Sequence, residues 1–96
     1  MARKVNESKP WTFLSNHGHV LVQLSRNPEL KVKEIAEIVG ITERSAQSIL
    51  ADLESEGYIA ITRSGRRNTY KVNQNQKFRH PSEANKTIGM LLKIFK

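Results

Sequence analysis

Residues Ile35 to Ile49 read IAEIVGITERSAQSI. Ile35, Ala36 and Val39 lie on one side of a helix, and after an interruption at Gly40 the residues Ala46, Ile49, Leu50 and Leu53 repeat that apolar stripe at i, i+3, i+4 and i+7. Two helices with facing stripes share one core. Ala36 is small where the helices cross closely, Gly40 tolerates the positive φ that ends the first helix, and Ile41 fills the corner. Thr42 is positioned to cap the second helix through its hydroxyl. The pattern is a helix-turn-helix. On its second helix Arg44, Ser48, Ala51 and Ser55 point away from the stripe, with Ser45 and Gln47 on the flanks, leaving a polar surface rich in hydrogen-bond donors.

Outward from this stretch the periodicity predicts further elements. A short extended lead-in at Trp11, Phe13 and Leu14 precedes a first helix, with Asn16 as its expected cap, running through Val20, Leu21 and Leu24 until Asn27-Pro28 stops it. The helix-turn-helix itself is expected over about Val32 to Val39 and Glu43 to Glu56, with Gly57 as the stop. After Gly57 the period becomes alternating. Ile59 and Ile61 face one way, Ser64-Gly65-Arg66-Arg67-Asn68 turns the chain, and Tyr70 and Val72 return it as a β-hairpin. A polar run from Asn73 to Lys77 leads to Phe78-Arg79-His80-Pro81, and Ser82 is the expected cap of a last helix carrying Ile88, Leu91, Leu92 and Phe95 on one side. The expected class is α+β: a three-helix core with a hairpin and an extra C-terminal helix. It divides into a flexible basic arm at 1–10, the main domain at 11–73, a linker at 74–81 and the C-terminal helix at 82–96.

The chain has 96 residues, enough for one domain with a modest core that a second chain can help complete. Sixteen basic and nine acidic residues leave a net charge of +7, which favours a polyanionic partner. The charge is unevenly distributed: residues 1–27 carry +3, residues 28–58 carry −4, and residues 59–72 and 73–96 carry +4 each. Attraction to phosphate must therefore come from outside the acidic helix-turn-helix.

Cysteine is absent, which excludes disulfides and thiolate metal sites and agrees with a reducing, cytoplasmic location. The longest apolar stretch, IGMLL from Ile88, is far short of the roughly 20 residues a membrane span requires. His17 and His19 are two residues apart and do not share a helix face, so no metal site is expected from them. The serines offer no convincing nucleophile and base pair, with a histidine oriented by a carboxylate, and no enzyme and no cofactor are expected.

The order helix, helix, turn, helix, hairpin resembles the winged helix-turn-helix transcription regulators of bacteria and archaea, in the MarR-like and ArsR-like group, over roughly residues 11 to 81. The pieces Ser15-Asn16-His17, Gly40-Ile41-Thr42-Glu43-Arg44, Gly65-Arg66-Arg67-Asn68-Thr69-Tyr70 and Arg79-His80-Pro81 look like those of small MarR-like members. The resemblance implies that the helix from Thr42 enters the major groove of double-stranded DNA while the hairpin, the wing, lies along a neighbouring backbone or minor groove. Typical MarR-like chains are longer, with terminal helices that build a dimer and a ligand pocket, whereas only one helix follows Ser82 here. ArsR-like metal sensors use cysteines or histidine clusters, and this chain has only His17, His19 and His80.

The residue chemistry suits that reading. Arg44 offers two parallel donors to guanine, Gln47 a donor and an acceptor to adenine, and Ser45 and Ser48 serve bases or phosphates. Glu43 and Asp52 count against it, because an exposed carboxylate repels phosphate unless it takes a hydrogen bond. Backbone and wing contacts are expected from Thr42, Lys31, Lys33, Arg63, Arg66, Arg67, Asn68 and Thr69. Ile88, Leu91, Leu92 and Phe95, widened by Met90 and Ile94, are the expected homodimer surface. The alternative is a winged helix serving protein interactions without nucleic acid, which the acidic helix-turn-helix keeps open.

Overall fold

Pro28 disfavours the helical conformation for the residue before it, and Asn27 lies extended at φ −145° and ψ 97° in the computed structural model, which describes residues 10–96. That proline ends α1, Asn16–Arg26. The helix is capped by Ser15, whose Oγ accepts the Gly18 N–H at 3.2 Å, one residue earlier than the Asn16 cap expected from sequence. The first nine residues of the basic arm lie outside the described residues.

Helix α2 spans Val32–Val39 and α3 spans Glu43–Ser55. Glu34 accepts the Lys31 N–H at 2.8 Å, satisfying a donor ahead of the first turn of α2. Gly40 ends α2 at φ 86° and ψ 36°, a left-handed conformation that costs a residue with a Cβ about 1–2 kcal/mol. Two residues later Thr42 Oγ1 accepts the Ser45 N–H at 3.0 Å and starts α3. Ile35, Ala36, Ala46, Ile49, Leu50 and Leu53 are all buried, as the shared stripe requires. Val20 and Leu24 of α1 complete the same core. Burying a leucine such as Leu24 contributes roughly 1.5–3 kcal/mol, so the three helices are held by apolar contact.

Strands β1, Ile59–Ser64, and β2, Arg67–Val72, pair antiparallel with Ile59 opposite Val72, Ile61 opposite Tyr70 and Ser64 opposite Arg67. The turn is two residues, Gly65-Arg66, shorter than the five-residue turn read from the sequence. Gly65 has φ 62° and no non-glycine residue among those described has positive φ. The turn thus has the type II′ pattern, whose twist matches the strands. Tyr70 is buried, and its N–H donates to the Pro28 carbonyl at 2.9 Å, joining β2 to the loop between α1 and α2. These elements form a winged helix.

Helix α4 spans Ile88–Ile94, with Thr87 at its cap position. Its cap lies five residues later than the Ser82 cap expected from sequence. Ser82 is occupied in a turn instead: its N–H donates to His80 Nδ1 at 3.1 Å and its hydroxyl to the Glu83 carboxylate. The segment after β2 straps α4 down, because Ile88 N–H donates to Gln76 O at 2.8 Å and Gly89 N–H to Gln74 O at 2.9 Å. Arg26 Nε adds a bond to the Phe95 carbonyl at 2.9 Å. This strap turns Ile88 and Leu92 into the chain's own core, with Leu92 only 1% exposed. Those two residues of the expected dimer surface are therefore corrected to core residues. Leu91 and Phe95 are half-buried, while Met90 and Ile94 remain exposed. No helix among the described residues is long and apolar enough to cross a membrane.

Candidate nucleic-acid interface

Packing of the α3 stripe against α1 and α2 leaves Arg44, Ser45, Gln47 and Ser48 exposed, together with Ala51 and Ser55. Thr42 is exposed but chemically committed: its hydroxyl accepts the Ser45 N–H and donates to Ser45 Oγ, both at 3.0 Å. The Ser45 hydroxyl keeps its own proton for another partner.

The two-residue turn decides where the wing's cations go. Side chains directly opposite in an antiparallel pair share a face, so Arg63 and Asn68 continue the row of Ile61 and Tyr70 toward the tip. Arg63 Nη1 donates to Asn68 Oδ1 at 3.4 Å. Both residues line a cleft of about 250 Å³ between α3 and the wing, whose other wall includes Gln47, Ala51 and Glu54. Arg67 turns the other way, its Nη1 lying 3.7 Å from Glu29 Oε1. With Arg66, Asn68 and Lys31 it lines a second cleft of about 250 Å³ between the wing and the α1–α2 loop. The three arginines read as one cluster are thus divided between two clefts. Lys31 joins one of them, Lys33 is exposed but lines neither, and Thr69 is exposed on the hairpin.

Sequence reasoning missed Glu29 and Glu54 as neighbours of these cations, because nothing local links the α1–α2 loop or the end of α3 to the wing. It weighed His17 only as a metal ligand and missed its contact with Asp52 of α3, where Nε2 lies 2.8 Å from Oδ2. Both residues line an apolar groove of about 520 Å³, together with Leu14, Leu21, Leu53, Tyr58, Phe78 and Leu91 among others. Burial pushes the Tyr58 hydroxyl above its ordinary range, with Arg79 opposing and Glu56 adding to the shift. That hydroxyl donates to the Lys77 carbonyl at 2.5 Å.

The geometry agrees with comparison to known proteins. No curated protein is similar enough in sequence to count as a match. Among solved structures, the chain resembles the crystal structure of MepR, a transcription regulator of the Staphylococcus aureus multidrug efflux pump MepA, with a TM-score of 0.59 at 19% identity. The likeness covers 97% of this chain and 63% of that one, so this chain spans less than two thirds of its structural relative's length. At that identity the likeness concerns the fold. A family model described as the MarR family matches residues 12–67, from the lead-in to α1 to the first residue of β2. With more than half of its residues inside that match, the chain belongs to the MarR family.

Proposed function

We propose that this protein is a sequence-specific transcriptional regulator of double-stranded DNA, without catalytic activity, acting in the cytoplasm as a homodimer. The observation that carries the reading is the juxtaposition of an outward polar face on α3 with arginine-bearing clefts on the wing side. Arg44 and Gln47 read guanine and adenine edges in the major groove, and Ser45 and Ser48 supply shorter contacts. Arg63, Arg66 and Arg67, with Asn68, Thr69, Lys31, Lys33 and the start of α3 at Thr42, follow the adjoining backbone or minor groove. Helix α3 supplies little attraction of its own, since its segment is acidic; the basic wing supplies the phosphate term. Family membership supports this reading, and no observation favours the interaction-module alternative.

For the homodimer, Met90 and Ile94, with the half-buried Leu91 and Phe95, form the apolar surface left on α4. A two-fold assembly predicts two recognition helices about one DNA turn apart, roughly 34–36 Å, and an inverted-repeat site. Selection of bound sequences from a random duplex pool, followed by salt titration on the winner, tests both parts. An enriched inverted repeat whose affinity falls steeply with salt is the expected result. Absence of retention on any duplex at low salt overturns the DNA reading, and a single unrepeated short site overturns the symmetric dimer.

A further inference from the structure

Asp52 is the residue of α3 that most opposes a DNA-facing role. It lies one helical turn after Ser48, on the flank of the exposed face nearer α1, where a bare carboxylate repels phosphate. The structure gives that carboxylate a partner from a distant part of the chain. His17 sits in the first turn of α1, just after the Ser15 cap, and its Nε2 is 2.8 Å from Asp52 Oδ2. An ionised carboxylate only accepts, so the imidazole N–H donates. Both side chains remain about half exposed, at 48% and 58%. The contact is therefore not sealed inside the core. Glu56, Arg79 and Glu83 are the other charged residues lining the groove beside the pair.

We propose that His17 is a positioning residue for DNA binding. It draws the Asp52 carboxylate toward α1 and off the phosphate-facing flank, and it ties the C-terminal half of the recognition helix to the start of α1. The contact thereby reconciles an acidic helix with a polyanionic partner. This inference rests on the DNA-binding reading above.

The test is a double-mutant cycle on the full chain, with duplex affinity and thermal melting measured for wild type, His17→Ala, His17→Gln, Asp52→Asn and the double variant His17→Ala with Asp52→Asn. For a partly exposed pair the effect expected on affinity is modest, about threefold. His17→Ala should weaken binding by that factor and His17→Gln, whose amide still donates, should restore it. In the Asp52→Asn background, with no charge left to restrain, His17→Ala should change affinity no further. An equal loss with and without the Asp52 charge overturns the proposal, as does coupling in melting temperature with none in duplex affinity. Wild-type protein that binds no duplex at low salt overturns the DNA reading and this inference with it. Wild-type binding without coupling overturns this inference alone.

Discussion

Arg67 of the wing stands 3.7 Å from Glu29 of the α1–α2 loop, so a cation assigned to the DNA backbone already faces a carboxylate of its own chain. The loop is tied to the wing where Pro28 O accepts the Tyr70 N–H at 2.9 Å, and it is shaped internally where Asn27 Oδ1 accepts the Glu29 N–H at 3.1 Å. Both charged groups are largely exposed, and exposed pairs contribute only about 0–1 kcal/mol. If the wing binds DNA as proposed, a phosphate can therefore displace Glu29, and the pair limits wing affinity without blocking it.

Replacing Arg67 with Ala is expected to weaken binding to cognate and random duplexes alike and to make the salt dependence shallower, by about one counterion. Glu29→Gln should act oppositely, tightening binding to all duplexes by a few-fold and leaving the ratio of cognate to random affinity unchanged. Fluorescence anisotropy across a salt series checks both. A selective loss at the cognate site for Arg67→Ala would assign that arginine to base reading instead.

Gln47 lies on the flank of α3 that faces the wing, beside Arg63 and Asn68 in one cleft. Gln47→Ala should alter which bases are preferred, with about 1–3 kcal/mol of discrimination lost at one position and the salt slope unchanged. Repeating the random-pool selection with the variant measures this directly. An unchanged recovered sequence would remove Gln47 from the base-reading set.

Gly40→Ala isolates the cost of the α2–α3 turn, because a Cβ at this position meets nothing within 4 Å and only the φ of 86° opposes it. The expected loss is about 1–2 kcal/mol. In a domain of this size each kcal/mol lowers Tm by roughly 4–8 °C. Gly40→Asn, which tolerates the left-handed region better, should lose less. Equal melting temperatures for wild type and both variants would show that the turn relaxes.

Leu92 and Ile94 are close neighbours on α4 with opposite fates, 1% and 72% exposed. Leu92→Ala should cost about 2–5 kcal/mol by leaving a cavity beneath the strap. Ile94→Ser should stay within about 0.5 kcal/mol in the isolated chain, as surface changes usually do. If this face joins two copies, Ile94→Ser should raise the dimer dissociation constant in sedimentation. An unaltered association constant would direct attention to another surface.

What was legible in the sequence is what neighbouring residues decide among themselves. The bounds of α2, the start of α3 at Thr42, the turn at Gly40 and the alternation of Ile59 and Ile61 follow from apolar period, side-chain capping and backbone permissiveness, all acting within a few residues. The exposed face of α3 was equally legible, since burying one side of a regular helix determines the other. The wing's register was not: a turn of two residues or of five sets different β2 residues opposite Ile61 and Arg63, and a single-residue slip turns every side chain of the slipped strand to the other face. The strap from Gln74 and Gln76, which delays α4 to Ile88 and turns Leu92 inward, rests on hydrogen bonds between residues well separated in sequence. The contacts of Glu29 with Arg67 and of His17 with Asp52 are likewise consequences of the assembled core. Charged side chains carry no periodic signature of their partners. Sequence alone thus determined which residues form the exposed polar face of α3, and tertiary structure decided which charges flank it, because a helix period is local and ion-pair partners are not.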